Sequence, residues 1–168
     1  MDTPKIYVAC LAAYNNGHLS GKWINAAQDV DEIYADIQQM LAESPIENAE
    51  EWSIHDYEGF GEASLSESED IETVAKIAAF IVERGDLGGA LLCDYTIEEA
   101  ETLLDDHYHG TYDDEVDFAY SLFEDCYPNA IPENLLYYFD YKAFARDLFM
   151  SDYFSVEANN KTHVFSNY

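Results

Sequence analysis

Carboxylates spaced three or four residues apart are the chemically most informative residues of this sequence. On an α-helix this spacing places Cβ atoms about 5–6 Å apart, which is of the order of the separation of neighbouring phosphates along a nucleic acid strand. Two predicted helices and the segment between them carry the acids concerned. They are Glu98, Glu101, Asp105, Asp106, Asp113, Asp114, Asp117, Glu124 and Asp125. The pattern predicts a carboxylate surface that a cationic partner could bind as it binds phosphates.

The charge of the whole chain has the same sign. The sequence contains 35 Asp and Glu against 7 Lys and Arg, a formal net charge of −28, and no Lys or Arg lies between Arg84 and Lys142. Duplex DNA carries one charge per 1.7 Å of axis, so 28 charges correspond to about 14 base pairs. Such a protein repels nucleic acid and anionic membranes and attracts basic surfaces. The predicted partner is therefore the basic cleft of a DNA-binding protein.

The composition predicts a folded protein that stays in a reducing compartment. Hydrophobic residues make up 48% of the 168 residues, enough for a core, so the acidity does not indicate disorder. Cys10, Cys93 and Cys126 are widely spaced and form no C-x-x-C motif, which favours free thiols and a cytoplasmic location. The sequence offers no apolar signal region at its start and no run long enough to span a membrane.

Hydrophobic periodicity and turn signals predict an α+β fold made of three small subdomains. Residues 1–61 are expected to form an N-terminal α+β subdomain, residues 62–107 a helical middle subdomain, and residues 108–168 a C-terminal α+β subdomain. Capping boxes at Asp29 and Thr96 predict two helix starts. The remaining elements are predicted strands over 5–11, 21–25, 52–57 and 108–112, helices over 65–84, 114–126, from Pro132 and over 144–148, and a hairpin over 153–157 and 162–166.

The acids are also compatible with a protein that has no DNA-binding partner. An acidic helix face can be merely solvated, and a halophilic-type structural or interaction protein would also be acidic. A calcium loop from Asp105 to Gly110 is disfavoured, because His107 and His109 stand where oxygen ligands belong. Zinc binding by these histidines has no obvious third ligand. No catalytic motif is present, so we expect no catalytic residue, metal or cofactor.

One segment of the sequence resembles a known family. The run Tyr138-Phe-Asp-Tyr-Lys-Ala-Phe-Ala-Arg-Asp-Leu-Phe149 closely resembles the antirestriction motif of ArdA proteins. Tyr14-Asn-Asn-Gly-His-Leu-Ser-Gly-Lys-Trp23 is similar to the family's N-terminal hairpin, and His55-Asp-Tyr-Glu-Gly-Phe60 to its next landmark. The three occur in family order and span nearly the whole chain.

The resemblance implies an antirestriction protein of plasmids or conjugative transposons. Proteins of this family mimic bent B-form DNA and occupy the DNA-binding groove of type I restriction–modification enzymes, formed by the methyltransferase core and the specificity subunit. They are elongated, contain three subdomains and form homodimers through the C-terminal one. Lys142 departs from the family pattern. The expected motif and dimer residues are Tyr138, Phe139, Asp140, Tyr141, Phe144, Arg146, Asp147, Leu148 and Phe149. The aromatic residues and Leu148 are expected to build core and dimer contact, and Arg146–Asp147 to form a structural ion pair or a cap.

Overall fold

A computed structural model describes residues 2–167 of the chain, which form two compact units that divide between Ile97 and Glu98. Each unit contains a three-stranded antiparallel sheet together with helices. The predicted α+β fold class is confirmed.

The first unit is built on a sheet with strand order β2-β1-β3. Ile6 of the central strand lies opposite Ile24 on one side and Tyr57 on the other. Its elements are β1 (Lys5–Cys10), α1 (Leu11–Asn15), β2 (Gly21–Asn25), α2 (Val30–Ala42), β3 (Trp52–Glu58) and α3 (Ile71–Leu91).

The core of the first unit joins this sheet to both long helices. It contains Ile6 and Ile54 from the sheet and Ile33 and Ile37 from α2. The apolar stripe of α3 lies in the same core, through Ile71, Val74, Ala78 and Ile81. The core therefore continues past residue 61, where the sequence suggested a subdomain limit. The division into three subdomains stays a prediction.

Helix α3 differs from the predicted helix at its start and continues beyond the predicted end after an interruption. It begins at Ile71 rather than residue 65, because the Asp70 side chain accepts a hydrogen bond from the Thr73 backbone N–H at 2.9 Å and caps the helix there. Val82, near the end of the predicted helix, is 60% exposed. Gly85 interrupts the helix with φ 64° and ψ −148°, and a short second half continues to Leu91. The predicted helix end at residue 84 therefore agrees with the interruption at Gly85.

Two further local expectations also differ. The predicted strand over 5–11 ends at Cys10, and Leu11 begins the short helix α1, after which Gly17 turns the chain at φ 78° before β2. Asp29 is the N-cap residue of α2, as expected, but its side chain makes no capping hydrogen bond. Backbone bonds from Glu32 and Ile33 to the Asp29 carbonyl begin the helix. The predicted capping box at Asp29 is therefore wrong in its side-chain contact.

The second unit is built on a sheet with strand order β4-β6-β5. Asn159 and Asn160 turn the closing hairpin with φ 51° and 57°, left-handed values that asparagine tolerates, and the predicted hairpin is confirmed. Its elements are a π-helical turn (Leu103–His107), β4 (Tyr108–Tyr112), α5 (Glu115–Cys126), α6 (Glu133–Leu136), α7 (Tyr141–Ser151), β5 (Tyr153–Ala158) and β6 (Lys161–Ser166). The helix α4 (Ile97–Thr102) leads into the turn.

We predict that Gly85→Ala destabilises the first unit. The backbone of Gly85 lies in a region that side chains strongly disfavour, and nothing lies within 4 Å of an added Cβ, so strain is the only cost. The free energy of unfolding in urea should fall by about 1–3 kcal/mol. Glu83→Ala, in regular helix two residues earlier, is the control and should change it by less than about 0.5 kcal/mol. Equal effects would contradict the assignment of strain to Gly85.

Candidate functional site

All nine acids predicted from the sequence as the binding surface lie in the second unit, and all nine are exposed. Glu98 and Glu101 lie on α4, Asp105 and Asp106 on the π-helical turn, and Asp113 and Asp114 immediately before α5. Asp117, Glu124 and Asp125 lie on α5. The acids are thus distributed over two helical segments and the strand end that joins them.

The α-helical spacing of Glu98, Glu101 and Asp105 is interrupted. Helix α4 ends at Thr102, and the wider π-helical turn that follows carries Asp105. Leu103 is fully buried, and the His107 ring bonds Ser166 of β6 at 3.2 Å, which ties this turn to the sheet. Asp105 therefore does not continue a regular α-helical row from Glu101.

Three of the acids also stabilise the start of α5. The Asp114 carboxylate accepts a hydrogen bond from the Asp117 N–H at 2.8 Å. The Asp117 carboxylate accepts one from the Asp113 N–H at 3.2 Å. The pair forms a reciprocal cap in which negative charge faces the positive end of the helix dipole. The side-chain oxygens of Asp114 and Asp117 therefore have a structural use besides any binding.

Asp113 forms an ion pair with Lys161 of β6. The hydrogen bond from Lys161 lowers the pKa of the Asp113 carboxyl and raises the pKa of the Lys161 ammonium group. Because the folded-state pKa of Asp113 lies below its ordinary value, the pair's contribution to stability is present at neutral pH and is lost as the pH falls through the lowered pKa. Both side chains are at least half exposed, so solvent screening keeps this contribution small.

The field of the acids reaches the tyrosines beside α5. Burial, followed by the charges of Asp125 and Asp117, raises the pKa of Tyr112. Burial, followed by the charge of Glu124, raises the pKa of Tyr141. Both phenols therefore resist deprotonation to higher pH than usual, and the Tyr112 hydroxyl donates a hydrogen bond to the His109 carbonyl at 3.1 Å.

The motif residues pack on α5. Asp140 caps α7 by accepting hydrogen bonds from the Lys142 and Ala143 N–H groups, each at 3.1 Å. The rings of Phe139, Tyr141 and Phe144 surround Phe123, at centroid distances of 4.7, 5.7 and 6.1 Å. All three rings are partly buried, and their role in core and dimer contact stays a prediction.

The C-terminal end of the motif packs on Phe118, a second aromatic residue of α5. Phe149 lies 5.8 Å from Phe118, and Leu148 is partly buried. The Arg146 guanidinium donates two hydrogen bonds to one oxygen of Asp147, at 3.0 and 2.8 Å, so these two exposed side chains form an ion pair. The exception is Tyr138, which is 78% exposed and does not contribute to the core.

Sequence reasoning missed the neighbours of Tyr138. Leu135 on the short helix α6 is 48% exposed, and Tyr137 directly after it is 91% exposed. With Tyr138, these side chains form an exposed apolar surface. The dense Leu-Leu-Tyr-Tyr run was visible in the sequence, but no pattern indicated which rings face outward. Sequence reasoning also missed the hydrogen bond from Ser155 of β5 to Glu115, at 2.9 Å, which fixes α5 to the sheet. Within residues 2–167, no group of three or more His, Cys, Asp or Glu is arranged to hold a metal ion.

The fold and this surface define a small acidic α+β protein with exposed carboxylates on the helical segments of its second unit. A family model described as antirestriction protein (ArdA) matches residues 6–160. The chain belongs to the ArdA family of antirestriction proteins. A search of curated proteins gives no match.

We predict that the charge of Asp114 can be removed without loss of stability, provided that the cap is kept. Asn is as good an N-cap residue as Asp, so Asp114→Asn should leave the free energy of unfolding within about 0.5 kcal/mol, whereas Asp114→Ala should lower it by about 1 kcal/mol. Urea unfolding followed by circular dichroism measures both. A loss in Asp114→Asn equal to that in Asp114→Ala would mean that charge, rather than the hydrogen bond to Asp117, stabilises α5.

Proposed function

We propose that this protein inhibits type I restriction–modification enzymes as a DNA mimic. Its membership of an antirestriction family supports the proposal. The observation that carries it is the exposed carboxylate surface of the second unit, within a segment that has no Lys or Arg between Arg84 and Lys142. Lys and Arg side chains that bind DNA phosphates would bind these carboxylates instead.

The position of Glu124 and Asp125 favours a role in binding over a role in stability. Both lie in the last turn of α5, which contains no basic residue. The C-terminal end of a helix is negative, so a carboxylate there costs about 0.3–1 kcal/mol. Like-charged neighbours add a few tenths of a kcal/mol each. Acids in these places are explained by a partner that supplies the missing positive charge.

The proposed mechanism is occupancy without chemistry. The partner is the DNA-binding groove formed by the methyltransferase core and the specificity subunit, and inhibition follows because the target DNA cannot enter. The protein itself binds no nucleic acid, since its net charge repels it. No catalytic residue, cofactor or metal takes part.

The proposal includes a cytoplasmic location for the protein. Among the described residues, no helix is long and apolar enough to cross a membrane. Cys10, Cys93 and Cys126 are free cysteines, consistent with a reducing cytoplasm, where restriction enzymes meet incoming DNA. We further propose an elongated body of three subdomains, which would let the carboxylates follow a bent duplex.

Homodimerisation through the C-terminal region is part of the proposal. Residues 126–168 carry few acids, so two copies repel each other least there. The exposed side chains of Leu135, Tyr137 and Tyr138 supply apolar area in this region. Phe144, by contrast, is partly buried against Phe123 and Phe139, so it supports the interface from within the subunit.

We predict that inhibition depends on many carboxylates together. A labelled duplex bound to a purified type I methyltransferase would be displaced by the unaltered protein. Glu101→Gln alone should change the displacement constant only about twofold, because one exposed pair contributes about 0.5 kcal/mol. A variant with six amide substitutions should lose about 100-fold or more, at about 0.5 kcal/mol per charge. The six acids are Glu98, Glu101, Asp105, Asp106, Glu124 and Asp125, which lie outside the caps of α5 and α7.

The matched control neutralises six exposed acids of the first unit. They are Asp31, Glu32, Glu47, Glu50, Glu58 and Glu62. This variant has the same net charge but should keep most of the displacement activity. Unfolding curves must stay cooperative in both variants. An equal loss in the two variants would mean that net charge alone matters, and no loss in either would contradict DNA mimicry.

We predict that Tyr138→Asp gives a monomer. The side chain is 78% exposed within one chain, so the substitution should leave the fold intact while placing a charge in the proposed interface. Sedimentation at micromolar concentration should find a dimer for the unaltered protein. Tyr14→Asp, at a tyrosine of the first unit that is 54% exposed, should stay dimeric. A monomeric unaltered protein, or a dimeric Tyr138→Asp variant, would contradict the proposed interface.

A further inference from the structure

A surface cavity lies between the C-terminal end of α5 and the helix α6. Its volume is about 270 Å³. Phe123 and Tyr127 contribute aromatic rings, with centroids 5.9 Å apart. The lining residues are Phe123, Glu124, Tyr127, Pro128, Asn129, Ile131, Glu133 and Leu136.

The size of the cavity suits one side chain of a partner. Pockets for drug-sized ligands have volumes of about 300–1,000 Å³, and a water molecule occupies about 30 Å³. At about 270 Å³ the cavity is smaller than a typical pocket for a drug-sized ligand and much larger than one water molecule. A residue of a docking protein is therefore the occupant whose size fits.

The chemistry of the lining selects a cation with a flat apolar face. Phe123 is 7% exposed and Tyr127 is 51% exposed, so one ring is buried and the other is open to solvent. Glu124 and Glu133 add two carboxylates, and the lining includes no Lys or Arg. A guanidinium group stacks on aromatic faces and binds carboxylates through paired N–H groups. An arginine side chain matches both parts of the lining better than the compact ammonium of lysine does.

We propose that this cavity receives an arginine side chain of the partner enzyme, an inference that rests on the proposed function. The carboxylates elsewhere on the second unit supply negative charge and hydrogen-bond acceptors, as DNA phosphates do. The aromatic wall adds a cation–π contact that a phosphate cannot make. A few such central contacts dominate many protein interfaces. The cavity is thus a discrete anchor within an otherwise distributed acidic surface.

The first experiment tests the cavity without the enzyme. N-acetylarginine amide is titrated into the intact protein at constant ionic strength, and the aromatic ¹H–¹³C NMR signals of Phe123 and Tyr127 are followed. The control ligands are Nα-acetylcitrulline amide, which is neutral, and Nα-acetyllysine amide, which keeps its charged ammonium group. We expect saturable shifts of these two residues with the arginine probe and at least threefold weaker binding of the lysine probe. Absent shifts, or equal shifts for both cations spread over the whole protein, would overturn the proposal.

The second experiment measures displacement of duplex DNA from the methyltransferase. Tyr127→Leu should weaken displacement about tenfold, the change expected for one desolvated cation–π contact. Tyr120→Leu is the matched control, because Tyr120 lies on α5, is 50% exposed and has a ring neighbour in Tyr141 outside the cavity. The control should change displacement less than twofold.

A second pair of variants separates this anchor from the distributed charge. Glu133 lines the cavity but is not one of the nine acids of the proposed phosphate-like surface. Glu133→Gln should therefore weaken displacement more than Glu98→Gln, which removes one of those nine. If the unaltered protein displaces DNA but Tyr127→Leu and Glu133→Gln match their controls, the anchor is overturned and the proposed function stands. If the unaltered protein displaces no DNA, the proposed function fails, and the anchor that rests on it is overturned as well.

Discussion

Self-repulsion among carboxylates governs how this protein can fold. With a formal charge of −28, the chain folds only because apolar packing outweighs the mutual repulsion of its acids. In the first unit this packing is a core of isoleucines that joins the sheet to α2 and α3. In the second unit it is aromatic. Phe118 contacts Tyr112 and Tyr153, at 5.1 and 4.8 Å, while Phe123 is surrounded by rings of the motif. Helix α5 therefore contributes rings to the aromatic core and also carries three of the nine exposed acids.

The acids divide into those that the fold uses and those that it does not. Asp70, Asp114 and Asp140 cap helices, where the dipole and free N–H groups favour a carboxylate. Glu124 and Asp125 lie at the opposite, negative end of α5 and gain nothing there. A chain selected only for solubility would mix the two signs of charge, so acids in costly positions are the strongest internal argument for a cationic partner.

Much of the fold could be predicted from the sequence, because strong local signals agree with the tertiary contacts. The range of α5 and the hairpin that turns at Asn159–Asn160 are examples. The sequence predicts too early a start for α3, because several acids could cap it and only the geometry of Asp70 selects one. The π-helical turn before β4 has no local signal, since it depends on the burial of Leu103 and on the contact of His107 with the sheet. For the site, spacing identified the acids, but the cavity formed by the loop after α5 has no periodic signal.

Hydrogen exchange of the partner enzyme provides a direct test of DNA mimicry. A purified type I methyltransferase is measured alone, with duplex DNA that contains its target, and with this protein. DNA mimicry predicts that the protein and the duplex slow exchange in the same peptides, those that carry the Lys and Arg residues of the DNA-binding groove. Protection by the protein at a separate surface, with the groove peptides still exchanging as in the free enzyme, would contradict it.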